Sequence, residues 1–332
     1  MRTHAERDHL PGSTAGRLSW LVGAAILVAL IAVVLRSSEE QELYRLAREA
    51  RPRWLLVALA LQAATYLFQG EIWRVVTRAA NAPLTHRTAY GLSLGKLFVD
   101  QALPSAGISG NLLMLRGLED RGVPRTVVMA GVVVDTASCY ATYVVGLAIA
   151  LGITLIHHQS SGLVLFASIP FALGGIAITV AVLTLSGARA GVMAERMKRL
   201  TPLRRALALF EAADTALARR PRLLLLASLC QLAILVLDAA TIWALIAALG
   251  AHASPTGVFA SFMISTLFRI IGVMPGGLGA FEAASVLTLK VIGVSVPVAL
   301  AATLLFRGLS FWLPMIPGLW FARRATHHQP AQ

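Results

Sequence analysis

The sequence predicts an all-α polytopic membrane protein built as two inverted-topology repeats, each with three spans and one broken re-entrant hairpin. Three observations carry this prediction. The 332-residue chain is 57% hydrophobic and only 14% charged, whereas a soluble domain is about 25% charged. Several apolar runs reach the roughly 20 residues that a helix needs to cross a hydrocarbon core. The runs also recur in register. Arg51-Pro52-Arg53 opens a run containing Gln62, and Arg220-Pro221-Arg222 opens a run containing Gln231; 220 − 51 and 231 − 62 both give 169. Each half then carries a Pro/Gly break, at Pro104, Gly107 and Gly110 and at Pro275, Gly276, Gly277 and Gly279. Matched broken segments in two halves are a sequence pointer to a transporter core.

In chain order, the full spans are Leu18–Leu35, Trp54–Trp73, Thr126–Leu151, Leu163–Ser186, Leu223–Leu249 and Pro297–Phe321, chosen by length and near absence of charge. Leu18–Leu35 is long for the apolar part of a signal peptide, and Arg36 and Glu39-Glu40 follow it without a nearby small-residue cleavage site. It is therefore expected to be a retained span. Two further apolar regions are interrupted, Thr88–Leu118 and Thr256–Ile292. Their arms are short for a full crossing but long enough for the limbs of a re-entrant hairpin.

Loop charge orients the chain. Arg189–Arg222 holds nine Lys/Arg and is placed in the cytoplasm, with Arg74–Arg87, Arg116–Arg125 and both termini. The loops His157–Gly162 and Gly250–Pro255 hold no Lys or Arg and are placed outside. The first hairpin then dips in from the cytoplasm and the second from outside. The expected layout is a cytoplasmic tail 1–17, a transmembrane domain 18–322 and a cytoplasmic tail 323–332. Within the domain the repeats cover about 18–152 and 163–322, with a basic linker at 187–222. That linker reads either as an amphipathic helix on an anionic inner leaflet or as an ordinary positive-inside loop.

Ionisable residues inside spans are costly and tend to line a cavity or face a partner. Here they form a short set. Asp135, Asp238 and Arg307 are each alone in their span. Lys96 and Asp100 precede the first break, Arg269 precedes the second and Glu282 follows it. Glu71 and Arg74 end the second span. Lys96, Arg269, Arg307 and Arg74 are candidates for holding a headgroup. Asp135, Glu282, Asp238 and Asp100 are candidates for balancing charge or moving protons. Asp135 and Arg307 fall at near-equivalent places in the two halves with opposite sign, so they are expected to approach each other near the midplane. Such a pair either lines a pathway or locks the halves together. The breaks serve either to hold an anionic group at half-helix ends or as plain tight turns between short helices.

Other classes are excluded. The net charge of +13 sits in loops flanking spans, with no aromatic-interleaved basic groove for nucleic acid. Cys139 and Cys230 both lie in apolar runs, so neither a disulfide nor a metal site is expected. The chain has no phosphate-binding loop, HExxH, CxxC or GxSxG. No cofactor is expected.

Two stretches resemble the transmembrane region of lysylphosphatidylglycerol synthase, the flippase-like domain family. The more specific one is Val273-Met274-Pro275-Gly276-Gly277-Leu278-Gly279-Ala280-Phe281-Glu282, followed by Ile292-Gly293-Val294 and Leu304-Leu305-Phe306-Arg307-Gly308-Leu309-Ser310-Phe311-Trp312-Leu313-Pro314. The looser one is Leu103-Pro104-Ser105-Ala106-Gly107-Ile108-Ser109-Gly110 with Arg116-Gly117-Leu118-Glu119-Asp120-Arg121-Gly122-Val123-Pro124. The resemblance implies an inner-membrane protein that moves a lipid between leaflets, with membrane lipids as partners. The cargo would be an anionic lipid or one modified with a sugar, aminoacyl or isoprenoid group. Lysyl transfer is not expected, because that chemistry belongs to a soluble domain the sequence lacks. The alternative is a membrane-embedded subunit or scaffold of a lipid-modifying transferase. Oligomeric state stays open between a monomer and a dimer.

Overall fold

The computed structural model describes residues 48–102, 108–156, 162–185, 213–271 and 279–327. The expected first span Leu18–Leu35, residues 187–212 of the linker, and Pro104, Gly107, Pro275, Gly276 and Gly277 lie outside the described residues. The rest is helical: α1 Pro52–Ala79, α2 His86–Ala102, α3 Ile108–Glu119, α4 Arg125–Ile156, α5 Gly162–Leu185, α6 Thr215–Ala218, α7 Pro221–Ala248, α8 Pro255–Ile271, α9 Ala280–Val291, α10 Val296–Arg307 and α11 Leu313–His327. A π-helical turn, Gly308–Trp312, joins α10 to α11. Among the described residues four helical stretches are long and apolar enough to cross a membrane: α1, α4, α7 and Val296–Phe321. This is an all-α, multi-pass membrane protein.

Element lengths recur between the halves. Helices α1 and α7 have 28 residues each, α2 and α8 have 17 each, and α3 and α9 have 12 each. Helix α4 matches in length the run Val296–His327, which the π turn divides. Proline opens both α1 and α7 at Pro52 and Pro221. Its fixed φ suits a first turn, and its missing N–H costs nothing there.

Helices α1 and α7 pack antiparallel, and their ends meet in matching ways. The N–H of Arg51 donates to the Ala248 carbonyl at 2.8 Å. At the other end, Arg220 Nη1 donates to the Ala79 carbonyl at 3.2 Å. Each helix start thus satisfies a carbonyl that the other helix end would leave unpaired.

The two broken segments are antiparallel hairpins. In the first, Gly110 meets Asp100 and Gly117 meets Leu92, so α3 runs back along α2. In the second, Gly257 meets Ile292, and Ser261 Oγ lies 2.6 Å from Thr288 Oγ1. An arm of 17 residues is about 25 Å long at 1.5 Å per residue, short of a hydrocarbon core of about 30 Å.

The π turn follows from proline chemistry. Pro314 has no N–H, so the Ser310 carbonyl loses its donor four residues on. Gln101 Nε2 reaches that carbonyl at 3.5 Å, and Tyr66 Oη donates to the neighbouring Leu309 carbonyl at 2.9 Å. Beyond the turn, α11 lies tight against α2. A Cβ on Gly318 would sit 2.6 Å from the Leu94 carbonyl oxygen and 2.7 Å from Phe98 Cβ. Backbone cannot yield as a side chain does, so Gly318→Ala is expected to destabilise by about 1–3 kcal/mol. A thermal melt in detergent checks this; an unchanged melting temperature would contradict the tight packing.

Apolar side chains form two cores. One gathers Ile72, Trp73, Val76, Met114, Leu118 and the α4 residues Val127–Val134. The other gathers Leu147, Ile242, Leu245, Met263, Phe281 and Phe306. Outward-facing apolar residues such as Leu67, Ile149, Leu173, Leu229, Ile316 and Trp320 are exposed, as a surface in contact with lipid tails requires.

Candidate functional site

Polar residues interrupt α1, α4 and α7 between the two cores: Gln62, Thr65 and Gln69; Asp135, Ser138 and Thr142; Gln231 and Asp238. Gln62, Asp135 and Gln231 each stand ten residues into their helix, about 15 Å along its axis. These three residues therefore lie about a third of the way along each long helix. The tips of the two hairpins add Lys96 and Asp100 from α2 and Arg269 from α8.

On the first-half side, Lys96 and Asp100 are four residues apart on one face of α2, with Nζ 3.2 Å from Oδ2. Asp100 Oδ1 accepts the N–H of Gly110 at 3.0 Å, which ties the tip of α2 to the start of α3. The same Lys96 Nζ lies 3.7 Å from Asp135 Oδ2. Asp135 Oδ1 accepts from Gln231 Nε2 at 3.0 Å and Gln69 Nε2 at 3.4 Å. One carboxylate on α4 thereby collects partners from α1, α2 and α7.

On the second-half side, Glu282 and Arg307 form a buried pair with Nε 2.7 Å from Oε1 and side chains only 1% and 7% exposed. Glu282 Oε2 also accepts the N–H of Gly279 at 2.6 Å. Gly279 has φ of 85°, a left-handed conformation that a side chain would strain. The guanidinium of Arg307 sits over the rings of Phe311 and Phe281, at 4.8 and 5.5 Å. The pair thus pins the start of α9 to the end of α10 inside an aromatic shell.

Between these clusters stand Asp238 and Arg269. Asp238 Oδ1 accepts from Gln62 Nε2 at 3.2 Å and Thr65 Oγ1 at 3.3 Å, both neutral donors. Arg269 donates from Nη2 to Tyr143 Oη at 3.1 Å, and its Nε is buried with no partner among the described residues. Among those residues neither Asp238 nor Arg269 makes an ion pair, although the Arg269 charge acts on Asp238.

One expectation is corrected. Asp135 and Arg307 were expected to approach each other, but their ion pairs are with Lys96 and Glu282, each within its own half. The reason is local: the hairpin packed against each span presents an opposite charge closer than the other half does. Arg74 stands apart from the belt. It pairs with Glu71, donates from Nε to the Leu84 carbonyl at 3.1 Å, and belongs with Arg78 and His86 around Glu71 at the end of α1. The glutamines and Tyr143 are the polar residues the sequence reading did not place in the site. Their signal was present, since Gln62 and Gln231 are polar residues inside apolar runs at the repeat offset. Among the described residues, no cluster of three or more His, Cys, Asp or Glu is arranged for a metal ion.

A bundle of long apolar helices with an ionic belt among them, bounded by two helical hairpins, defines a polytopic membrane protein with a polar site in its interior. Residues 20–318 match the family described as the lysylphosphatidylglycerol synthase TM region, and the chain belongs to that family. It is also 24% identical, over 90% of its length and 92% of the relative's, to a UPF0104 membrane protein of Methanothermobacter thermautotrophicus.

Proposed function

We propose that this protein is a flippase-like transporter of the inner membrane, both termini cytoplasmic, that passes an anionic or modified lipid headgroup between leaflets. Family membership supports a role in lipid metabolism or transport. The observation that carries the finer reading is Arg269, a cation at a hairpin tip with no carboxylate partner among the described residues. A guanidinium in a low-dielectric interior is costly without a counter-charge, and it presents a fork that matches a phosphate. Lys96 stands on the other hairpin, held between two carboxylates that can release it in part to a bound group. The polar belt provides neutral donors and acceptors on the way. The chain acts as a carrier and performs no covalent step; its partners are membrane lipids.

The test is headgroup translocation in proteoliposomes with short-chain fluorescent lipids, anionic and zwitterionic. Protein-dependent movement of the anionic probe is the expected result. No movement of any lipid by folded protein would overturn the proposal and favour a subunit of a lipid-modifying transferase.

A further inference from the structure

Of the four acids in the belt, three have an ionic partner: Asp100 and Asp135 share Lys96, and Glu282 holds Arg307. Asp238 differs. Its two hydrogen-bond donors, Gln62 and Thr65, are uncharged and come from α1. The groups facing it from the surrounding helices are few. Helix α1 adds Tyr66 and α4 adds Tyr143, both phenols within its field. Helix α8 adds Arg269. The charged residue of α10 is Arg307, which Glu282 occupies, and Asp135 of α4 is taken by Lys96, Gln69 and Gln231. Arg269 is thus the cation left to compensate an ionised Asp238 among the described residues, and the two form no ion pair there.

We infer that Asp238 is a proton-binding site coupled to anion binding at Arg269, so that one proton is taken up for each anionic headgroup bound. This rests on the headgroup reading of Arg269 above. The charges close. When a phosphate engages Arg269, the guanidinium is neutralised by the ligand and no longer serves Asp238. An ionised carboxylate left without a counter-charge in a low-dielectric site is expensive, and a neutral carboxylic acid is not. Protonation restores the balance: one anion enters, one proton enters, and the net charge of the site does not change. The neutral donors suit this role. Thr65 can turn its single hydroxyl hydrogen to the Leu61 carbonyl, at 3.2 Å, and then accept a hydrogen bond from the O–H of protonated Asp238. Tyr143, bonded to Arg269 and within the field of Asp238, links the two positions.

The experiment is proton uptake by detergent-solubilised protein, followed with a pH dye in weak buffer, on titration with dihexanoyl phosphatidylglycerol. Uptake near one proton per lipid bound is expected in the wild type. Affinity is expected to weaken by about tenfold for each unit rise in pH over the range in which binding takes up the proton. Asp238→Asn keeps an acceptor for Gln62 and Thr65 and is expected to bind the lipid with no proton uptake and no pH slope. Arg269→Gln is expected to lose both binding and uptake. Binding without proton uptake in the wild type would overturn the inference, as would persistent uptake in Asp238→Asn. The flipping assay distinguishes the two readings. Uptake on binding without translocation sustains the coupling and defeats the carrier role; translocation without uptake does the reverse; neither binding nor translocation defeats both.

Discussion

Arg269→Gln is expected to slow translocation of an anionic headgroup by about 10- to 100-fold while leaving the chain folded. The magnitude follows from the charge-assisted hydrogen bonds removed, about 1.5–3 kcal/mol, at 1.4 kcal/mol per factor of ten. The folding expectation follows from its surroundings. Arg269 gives one hydrogen bond, to Tyr143, and glutamine can still make it; no ion pair among the described residues is lost. The charge removed is one that Asp238 balances without an ion pair, and protonation of Asp238 restores neutrality, so stability is expected to stay level. Initial rates for anionic and zwitterionic probes, with a melt of each variant, check both parts. Equal rates for wild type and variant would remove Arg269 from the pathway.

Glu282→Ala is expected to have the opposite profile, a loss of about 3–5 kcal/mol in stability. The substitution leaves the Arg307 guanidinium buried among Phe281, Phe306 and Phe311 and also strips the N–H of Gly279 of its acceptor. Cation–π contact returns only about 0.5–2 kcal/mol of that loss. Unfolding in a denaturing detergent series measures the change. The double variant Glu282→Leu with Arg307→Met is expected to recover most of the stability, because a buried pair is replaceable by apolar groups of similar volume while loss of one member alone is costly. If that double variant also translocates lipid, the pair is a structural lock and Arg307 is not a headgroup ligand. If it folds but translocates nothing, the pair is part of the pathway.

The membrane class and the long helices were legible because they depend on apolar length, which a linear sequence displays. Trp54–Trp73 became Pro52–Ala79 and Leu223–Leu249 became Pro221–Ala248. The two residues added at each start have a local cause, since the opening prolines begin each helix before its apolar run, whereas the six added at the end of α1 carry the helix past the apolar run through Arg74 and Arg78. The sixth span was read as continuous, yet it bends through a π turn after Arg307. Pro314 marked the spot, but the outcome also required Tyr66 and Gln101 to come from other helices and hold the freed carbonyls. The charged residues were legible as a set and not as partners. Position in a repeat predicted Asp135 with Arg307, whereas contact is decided by which side chains the adjacent hairpin supplies. Arg74 was read with Glu71 at the end of the second span, and α1 carries it four residues beyond the buried Gly70 to a pair with that glutamate.

The π turn also sets the phase of everything after it. A regular helix advances 100° per residue, so one residue more or less in Gly308–Trp312 would rotate α11 by about that angle around its axis. Gly318 would then no longer face the Leu94 carbonyl, and a bulkier neighbour, Pro317 or Leu319, would be turned toward α2 instead. The close seating of α11 on the first hairpin is therefore a property of residue count upstream as much as of glycine at 318. A length change in this turn would be felt as a misfit two turns away, in a helix whose own sequence had not altered.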